Sequence, residues 1–411
     1  MKLFIILDGV ADMPCIELGG KTPLEAAKTK NLDILAKNGK CGYAYPLNIK
    51  IAPESDSAVI SLLGYDPQKF YTGRGPLEAA GAKISINKGD LALRCNFGSL
   101  IDGKLVDRRA GRTLTDKEAE QLCDVINKNV KIGHEFILKH AIEHRAILVI
   151  RGNFSPNISN VDPAYERTTS LLSKASEAAE GIRRCKPLTK DEKAEETAKV
   201  VNDFVIKSYA TLKDHPINIK RHKKMLLPAN ILLPRDAGIK FPNFTPKKIG
   251  WAAIAGMPLE KGIAKLCGMT VLSFDYPKLK GIDVYKHLYK DLKKSIKIAK
   301  KHIKKGYFKN YYIHFKETDV PGHDKRPFDK KKMIEILDKK FFKFVRKLKC
   351  KVLITADHST PCVLGRHSDN PVPVLLYGEG KDDVQRFTEK ECRKGALGKL
   401  KGTNILTELE L

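Results

Sequence analysis

The sequence lacks long hydrophobic runs, paired cysteines and internal repeats. No apolar run approaches the roughly 18 residues that a membrane-spanning helix requires, and the first run, Lys2–Leu7, meets the charge of Asp8 too soon for a signal peptide. The nine cysteines form no C-x-x-C pair, which argues against a disulfide framework and against a zinc ribbon. The absence of a repeat excludes a solenoid. We therefore expect a globular cytoplasmic protein with no membrane partner.

The charge balance is the unusual bulk property. The sequence contains 75 Lys and Arg against 48 Asp and Glu, a formal net charge of +27. Such a charge is typical either of a nucleic-acid-binding protein or of a lysine-rich surface around a site for an anionic substrate. Much of the excess lies in residues 290–309 and 330–351, where Lys alternates with Ile, Leu and Phe at helical spacing. This pattern favours the solvated faces of amphipathic helices, so we expect no nucleic-acid partner.

Strands and helices alternate in the two outer parts of the chain. Residues 1–73 and 246–411 are predicted to form one discontinuous α/β domain with a doubly wound, mostly parallel sheet. Residues 74–245 change character and are predicted to be an inserted α/β or α+β domain that binds substrate. The predicted strands of the outer domain include residues 2–7, 251–255, 268–274, 311–315 and 352–355.

The central motif is the stretch Lys351–Pro361. Its apolar run stops abruptly at Asp357-His358, which is typical of a buried parallel strand that delivers polar residues to its carboxyl end. Open α/β sheets place their active sites at that edge. A carboxylate and an imidazole there require polar partners or a metal ion.

Other residues of metal-binding type follow other predicted strands. Asp8 follows the first strand, Asp319 and His323 follow the strand 311–315, and His367 lies shortly after the central motif. Asp319, His323 and His367 could hold one divalent ion, and Asp8, Asp357 and His358 a second. Taken alone, Asp8-Gly9 is typical of a turn and His323 of a loop. Because these residues occur together in one sequence, we expect a metal site.

These motifs together resemble the alkaline-phosphatase superfamily and, within it, the archaeal-type cofactor-independent phosphoglycerate mutases. The resemblance runs from end to end and preserves motif order. It is carried by Asp8, Ser55-Asp56-Ser57-Ala58, Gly64-Tyr65-Asp66-Pro67, Thr318-Asp319, Gly322-His323-Asp324, Thr355–Pro361, His367-Ser368 and Pro371-Val372-Pro373.

The resemblance implies an isomerase of glycolysis and gluconeogenesis. Such an enzyme interconverts 3-phosphoglycerate and 2-phosphoglycerate through a phosphoserine and needs no 2,3-bisphosphoglycerate. The resemblance also implies two divalent ions; Mn²⁺ is expected first, with Zn²⁺, Co²⁺ or Mg²⁺ as alternatives. The two ligand sets above would hold them, and the nucleophile would join Asp8, Asp357 and His358. Two cations beside a phosphoryl group stabilise the attacking and leaving oxygens. The sequence leaves a homo-oligomer open.

The nucleophile implied by the resemblance is Ser55. In related mutases this serine lies four residues before a histidine, and here Val59 occupies the histidine position. This departure leaves Ser57 as the alternative nucleophile. Either serine could instead cap a helix.

Arginines suit the phosphate and carboxylate groups of such a substrate. Three arginines in the stretch Asp107–Arg112 repel one another unless an anion or an acidic side chain neutralises them, and this stretch also resembles one of the archaeal-type mutases. We expect Arg109 and Arg112 to bind substrate. The further candidates are Arg74, Arg108, Arg151, Arg235 and Lys261.

Two other functions compete with the mutase. A phosphatase or another phosphomutase of the superfamily would share the metal ligands and differ in the inserted domain. A nucleic-acid-binding protein would show basic residues interleaved with exposed aromatic residues or a recognised binding module, and the sequence shows neither.

Overall fold

The computed structural model describes residues 1–167, 174–175, 182–274 and 283–411. The chain divides into two compact units. The first consists of Met1–Phe70, Phe244–Pro277 and Leu288–Leu411, and the second of Tyr71–Asn243 and Lys278–His287. The predicted division into residues 1–73 with 246–411 and residues 74–245 stays a prediction.

Strands and helices are numbered along the chain within the described residues. The strands are β1 (Lys2–Leu7), β2 (Gly39–Tyr45), β3 (Leu91–Ile101), β4 (Lys104–Asp107), β5 (Phe136–Ile142), β6 (Arg145–Ile150), β7 (Tyr165–Glu166), β8 (Lys174–Ala175), β9 (Ile231–Gly238), β10 (Trp251–Ile254), β11 (Thr270–Val271), β12 (Asn310–Phe315), β13 (Lys351–Thr355), β14 (Val372–Tyr377) and β15 (Gly398–Lys401). The helices are α1 (Pro23–Ala26), α2 (Lys30–Lys37), α3 (Ser55–Leu62), α4 (Pro67–Phe70), α5 (Arg74–Gly81), α6 (Asp116–Asn129), α7 (Glu192–Leu212), α8 (Pro216–Lys223), α9 (Pro258–Leu266), α10 (Val284–Lys305), α11 (Asp319–His323), α12 (Pro327–Leu337), α13 (Lys343–Val345), α14 (Glu389–Cys392) and α15 (Ile405–Glu408). Shorter helical turns are the 3₁₀ segments Ile16–Leu18, Ala110–Arg112 and Gly402–Asn404 and the π-helical segment Asp338–Phe342.

The first unit is built on an eight-stranded sheet in the order β11-β10-β12-β1-β13-β14-β2-β15. β14 runs antiparallel to both of its neighbours, and the other pairings are parallel. Five of the six residues of β1 are buried, as expected for an apolar strand covered on both faces. The predicted α/β class and mostly parallel sheet are confirmed. The predicted strand 268–274 is shorter than expected, since β11 contains only Thr270–Val271.

The register of the central strands fixes where the candidate ligands lie. β1 pairs with β12 on one side and with β13 on the other, and Leu7 is aligned with Phe315 and Ile6 with Thr355. The three strands therefore end at one edge of the sheet. The residues that follow them emerge at that edge, as the rule for open parallel sheets requires.

The second unit contains an antiparallel sheet of β4, β3, β6 and β5, with β9 paired to β3. α6 packs on β5 and on α7. α6 begins at Thr115, whose side chain accepts a hydrogen bond from the amide of Glu118 while the Glu118 carboxylate accepts one in return. The second unit is thus of the α+β type.

None of the helices that the structure describes combines the length and apolar character needed to cross a bilayer.

Candidate active site and its metal ligands

Asp8, Asp357 and His358 form one cluster at the carboxyl edge of the first unit's sheet. One side-chain ligand atom from each lies within 4.8 Å of those of the other two. Nε2 of His358 is 3.3 Å from Oδ1 of Asp8 and 3.3 Å from Oδ2 of Asp357. All three side chains are buried. The structure brings together the three residues that the sequence assigned to one ion.

Asp319, His323 and His367 form the neighbouring cluster. Oδ1 of Asp319 is 3.4 Å from Nε2 of His323 and 3.8 Å from Nε2 of His367. Asp319 and His323 lie at the two ends of α11, so their spacing of four residues places both side chains on one helix face. Ligand atoms of Asp319, His358 and His367 also lie within 4.8 Å of one another. The two clusters are therefore contiguous, and His358 lies at their junction.

Backbone carbonyls determine the tautomers of two imidazoles. Nδ1 of His323 lies 3.1 Å from the carbonyl oxygen of Gly365, and Nδ1 of His367 lies 2.8 Å from that of Pro53. A carbonyl oxygen only accepts hydrogen bonds, so each Nδ1 must carry the proton. The lone pair of each neutral ring is then on Nε2, which faces Asp319. This is the arrangement by which outer hydrogen bonds orient metal-binding histidines.

A threonine does the same for His358. Oγ1 of Thr360 donates a hydrogen bond to Oδ1 of Asp319 at 2.7 Å and lies 3.0 Å from Nδ1 of His358. Because its proton is directed to the carboxylate, the hydroxyl accepts from Nδ1–H of the imidazole. The Nε2 lone pair of neutral His358 then points toward Asp8 and Asp357. Thr360 is a supporting residue that the sequence analysis did not single out.

Two buried carboxylate oxygens of the cluster formed by Asp8, Asp357 and His358 have no hydrogen-bond partner among the described residues. They are Oδ1 of Asp8 and Oδ2 of Asp357, the two atoms nearest Nε2 of His358. An unsatisfied buried carboxylate oxygen is costly, and a cation at the point where these atoms converge would remove the cost. This donor set of carboxylates and imidazoles fits divalent ions such as Mn²⁺ or Zn²⁺.

The pKa values of the cluster show how strongly charge is focused there. Burial opposes ionisation of Asp8, yet Lys316, His314 and His358 hold the pKa of that carboxyl well below its usual range. Burial and the charge of Asp8 raise the pKa of Asp357. Burial alone would lower the pKa of His358, but its carboxylate neighbours raise it to about 9. Without a metal ion, a proton on His358 therefore neutralises part of the negative charge of Asp8 and Asp357.

Ser55 is the serine that meets this cluster. It is the first residue of α3, and its Oγ lies 3.1 Å from Nε2 of His358. Ser57 points elsewhere, since its hydroxyl donates to the carbonyl oxygen of Glu54 at 3.1 Å. Glu54 occupies the N-cap position, where no side-chain capping bond forms, so the alternative of Ser55 as a helix cap is wrong.

Val59 is fully buried in α3. An apolar side chain offers no hydrogen bond, so any polar contact that a histidine makes at this position in related enzymes must be absent here or come from another residue.

Lys316 is a prominent site residue that the sequence analysis missed. It follows β12 directly, and its ammonium lies 2.8 Å from Oδ2 of Asp8, 3.1 Å from Oδ2 of Asp319 and 3.4 Å from Oγ of Ser55. Burial would lower its pKa, but Asp319 and Asp8 raise it above the usual value. Lys316 is therefore a fixed positive charge in contact with both clusters and with the serine. Its position immediately after a buried strand was the available signal.

His314 supports Asp8 from within the sheet. Its Nε2 lies 2.7 Å from Oδ2 of Asp8, and its Nδ1 lies 2.8 Å from the hydroxyl of Tyr312. Burial opposes protonation, but the hydrogen bond to Asp8 raises the pKa of His314. Tyr312 and His314 are two residues apart in β12, so their side chains lie on the same face of the strand. Polar groups at this spacing in an otherwise apolar strand were the signal available in the sequence.

Gly9 is required by the close approach of two chain segments. Its φ is +59°, and a Cβ atom there would lie 2.6 Å from Oγ1 of Thr360 and 2.7 Å from Oδ1 of Asp319. Its amide donates to Oδ1 of Asp357 at 3.1 Å. The glycine thus lets the backbone after β1 pack directly against the ligands.

Four predicted substrate-binding arginines of the second unit already have carboxylate partners within that unit. Arg108 makes a two-point contact with Asp162, and both Arg108 and Arg235 lie against the ring of Tyr165, with guanidinium carbons 5.3 Å and 3.6 Å from its centroid. Such pairs fix side-chain position. The pairs are Arg74–Glu78 (2.8 Å), Arg108–Asp162 (2.5 Å), Arg151–Asp90 (2.5 Å) and Arg235–Asp236 (2.7 Å).

Arg109 is different, because it forms no ion pair with a carboxylate in the part of the chain that the structure describes. Burial and then the charge of Arg112 lower the pKa of Arg109 to about 10. The neighbouring His144 is buried, and burial followed by the charges of Arg145, Arg109 and Arg112 lowers its pKa well below 6.5. A concentration of positive charge that suppresses protonation of a nearby histidine is suited to an anion.

Lys261 lies in α9 of the first unit. Its ammonium donates a hydrogen bond to the carbonyl oxygen of Phe274 at 3.2 Å. Its assignment to substrate binding stays a prediction.

Comparison with known proteins shows the family to which the chain belongs. A family model described as 2,3-bisphosphoglycerate-independent phosphoglycerate mutase matches residues 36–218. Proteins of that name from Methanopyrus kandleri and Pyrococcus abyssi are 37% and 38% identical to this chain; the alignments cover 99% and 98% of the chain and 95% of each relative. The chain belongs to the 2,3-bisphosphoglycerate-independent phosphoglycerate mutase family.

Solved structures extend the family relationship to the fold. A Pyrococcus horikoshii protein superposes with a TM-score of 0.75 at 30% identity, covering 99% of this chain and 96% of that one. The cofactor-independent phosphoglycerate mutase of Thermoplasma acidophilum superposes with a TM-score of 0.57 at 31% identity, covering 100% and 98%. The α/β architecture is therefore that of the mutase family over the whole chain.

Proposed function

We propose that this chain interconverts 3-phosphoglycerate and 2-phosphoglycerate through a phosphoserine on Ser55, without 2,3-bisphosphoglycerate. The observation that carries the proposal is the position of the Ser55 hydroxyl, 3.1 Å from Nε2 of His358 at the junction of the two ligand clusters. Family membership supports the substrate. The reaction is an isomerisation that serves glycolysis and gluconeogenesis.

The two clusters would hold two divalent ions. Asp319, His323 and His367 would hold one ion, and Asp8, Asp357, His358 and Ser55 the other; Mn²⁺ is our first assignment, with Zn²⁺, Co²⁺ and Mg²⁺ as alternatives. When bound, such ions lower the pKa of a serine hydroxyl and neutralise charge on a phosphoryl group. The orphaned oxygens of Asp8 and Asp357 and the Nε2 lone pairs of the three histidines support this assignment.

Ser55 acts as acceptor and then as donor of the phosphoryl group. Its Oγ loses its proton and forms a bond to phosphorus while the bond from phosphorus to O3 of the glycerate breaks, and O3 gains a proton. The glycerate then presents its 2-hydroxyl, which loses a proton as O2 takes the phosphoryl group and Ser55 is restored. No water is consumed, so the site must retain glycerate and exclude water between the two steps.

Lys316 stabilises the transferred group in this mechanism. Its ammonium lies 3.4 Å from Oγ of Ser55, close to where the oxygens of a phosphoryl group on that serine would lie. The attraction between this preorganised cation and those oxygens increases as negative charge develops on them in the transition state. His314 acts indirectly, because its hydrogen bond fixes the carboxylate of Asp8.

The arginine cluster of the second unit would bind the charged ends of the substrate. We assign Arg109 and Arg112 to this role because their two positive charges lie close together. Among the described residues, no carboxylate forms an ion pair with Arg109. Arg74, Arg108, Arg151 and Arg235 would order the surrounding surface through their acidic partners. The second unit would accordingly be the substrate-binding domain inserted into the catalytic one.

Phosphorus NMR of 3-phosphoglycerate tests the proposal directly. Chelator-treated protein is incubated with substrate before and after addition of Mn²⁺, with no 2,3-bisphosphoglycerate present. Formation of 2-phosphoglycerate only after metal addition is the expected result. Release of inorganic phosphate would instead identify a phosphatase built on the same clusters, and an unchanged spectrum would require another phosphorylated substrate.

A further inference from the structure

Nine lysines converge on one groove of the first unit, apart from the ligand clusters. The groove has a volume of about 1010 Å³ and lies between α10 and the segment Asp338–Lys347. Its two apolar lining residues are Ile296 and Phe344. The lysines are Lys293, Lys297, Lys300, Lys301, Lys304, Lys339, Lys340, Lys343 and Lys347.

These lysines carry unbalanced charge. Among the described residues, none of the nine forms an ion pair with a carboxylate, and no acidic side chain lines the groove. Asp338, the acid next to the groove lysines, is buried and accepts hydrogen bonds from Asn31 and Leu32. Like charges on two facing walls repel one another, and an anion between the walls would reduce that repulsion. The facing segments also share a hydrogen bond, from the ammonium of Lys300 to the carbonyl oxygen of Lys340 at 3.3 Å. The sequence analysis predicted that these lysines lie on the solvated faces of separate amphipathic helices. That prediction does not explain why lysines of two segments line one groove.

We propose that this groove binds single-stranded RNA through its phosphate backbone. Lys293, Lys297, Lys300 and Lys304 follow one face of α10, close to one per turn of about 5.4 Å, over roughly 16 Å of helix. A row of ammonium groups at this spacing follows a linear row of phosphates. The second wall supplies a matching row from the segment Asp338–Lys347.

Phe344 distinguishes this groove from a simple basic surface. Its ring is half-buried in the groove, with the ammonium groups of Lys300 and Lys304 5.5 Å and 6.0 Å from its centroid. A charged groove with an aromatic ring at its base is the arrangement by which proteins bind single strands: the ring stacks on a base and the cations hold the adjoining phosphates.

A membrane surface fits the groove less well. The lysines line a concavity, whereas a bilayer contacts a flat or convex surface, and peripheral binding also needs exposed apolar side chains for insertion. Ile296 is buried, and none of the groove residues is an exposed large apolar residue. The charge and shape therefore favour a flexible polyanion.

Fluorescence anisotropy with a labelled single-stranded RNA of mixed sequence tests the inference on the full-length protein over a range of salt concentrations. The variant reverses three exposed groove lysines, Lys297→Glu, Lys301→Glu and Lys343→Glu. We expect this variant to bind the RNA at least roughly tenfold more weakly at low salt. The slope of log K against log salt should become shallower by about 2, because each lost phosphate contact changes it by about 0.7. Phe344→Leu should weaken binding while leaving that slope unchanged.

The matched control reverses three exposed lysines at the end of α8, Lys220→Glu, Lys223→Glu and Lys224→Glu. It changes the net charge equally, and it should bind RNA nearly as the unmodified protein does. Both triple variants should keep the unmodified rate of phosphoglycerate turnover. Equal loss in the two triple variants, equal affinity for duplex RNA, or binding only to phosphatidylserine vesicles would each overturn the proposal.

Discussion

The Nε2 atoms of His323 and His367 lie 3.2 Å apart, and in the neutral tautomers that the carbonyl oxygens of Gly365 and Pro53 select, both atoms carry lone pairs. Both protons are on Nδ1, where the carbonyl oxygens of Gly365 and Pro53 accept them. Two lone pairs that face each other at this distance repel, and Oδ1 of Asp319 adds a negative charge beside them. A cation held between these atoms would replace the repulsion by attraction, which supports the proposed metal site.

Metal addition should stabilise the protein as well as activate it. At a Mn²⁺ concentration 100-fold above its dissociation constant, binding to the folded state alone adds about 2.7 kcal/mol to the free energy of unfolding. The measurement is the melting temperature of chelator-treated protein with and without Mn²⁺. His367→Gln should reduce the increase, because it removes a ligand from one cluster. An increase of the same size in that variant would show that the ion binds elsewhere.

Replacement of the two serines one at a time should show which of them is the nucleophile. Ser55→Ala should abolish turnover and keep the metal-dependent increase in melting temperature, since the other ligands remain. Ser57→Ala should keep turnover and cost about 1 kcal/mol or less of stability, because it removes one hydrogen bond to Glu54. The measurement is the rate of 2-phosphoglycerate formation by each variant. An active Ser55→Ala enzyme would move the nucleophile to another residue.

Lys316→Met should lower kcat by roughly 100-fold to 1000-fold, the usual effect of removing one charged group that stabilises a transition state. The ammonium contacts Asp8, Asp319 and Ser55, so metal affinity must be measured in the same variant. Lys316→Arg keeps the charge and should recover part of the rate. If kcat stays unchanged in the methionine variant, Lys316 has no role in phosphoryl transfer.

Arg109→Lys and Arg112→Lys should each raise KM for 3-phosphoglycerate by roughly tenfold, because a lysine keeps the charge but loses the two-point contact with a carboxylate or phosphate. Arg151→Lys serves as the comparison and should have a smaller effect, because Arg151 is already engaged with Asp90 and with the carbonyl oxygen of Ser85. Steady-state kinetics of the three variants provide the test. Equal KM values would contradict the assignment of Arg109 and Arg112.

Lys330→Met should destabilise the first unit by about 3–5 kcal/mol, since it leaves a buried carboxylate without its partner. Lys330 is fully buried, and its ammonium lies 2.6 Å from Oδ2 of Asp12 and 2.9 Å from the carbonyl oxygen of Thr360. Denaturant unfolding measures the loss. Adding Asp12→Asn to Lys330→Met should recover part of the stability, and a double variant that is additive in its two losses would rule out the ion pair as the cause.

Some site residues could be predicted from the sequence because their chemistry is local. Asp8 and Asp357 follow apolar strands, and parallel strands deliver such residues to one edge. Residues that only support them gave a weaker signal. Thr360 and Tyr312 act through hydrogen bonds to His358 and His314, and the sequence does not show which hydroxyl lies beside which imidazole.

The sequence by itself determined the α/β class, the family and the order of the candidate ligands, because hydrophobic periodicity and motif order are properties of the chain. Only the tertiary structure shows that the hydroxyl of Ser55, and not that of Ser57, reaches His358, because that contact depends on the packing of α3. It also brought Lys316 into contact with Asp8 and joined two lysine-rich segments into one groove. Those relationships depend on distances between residues far apart in the chain, which composition and spacing do not specify.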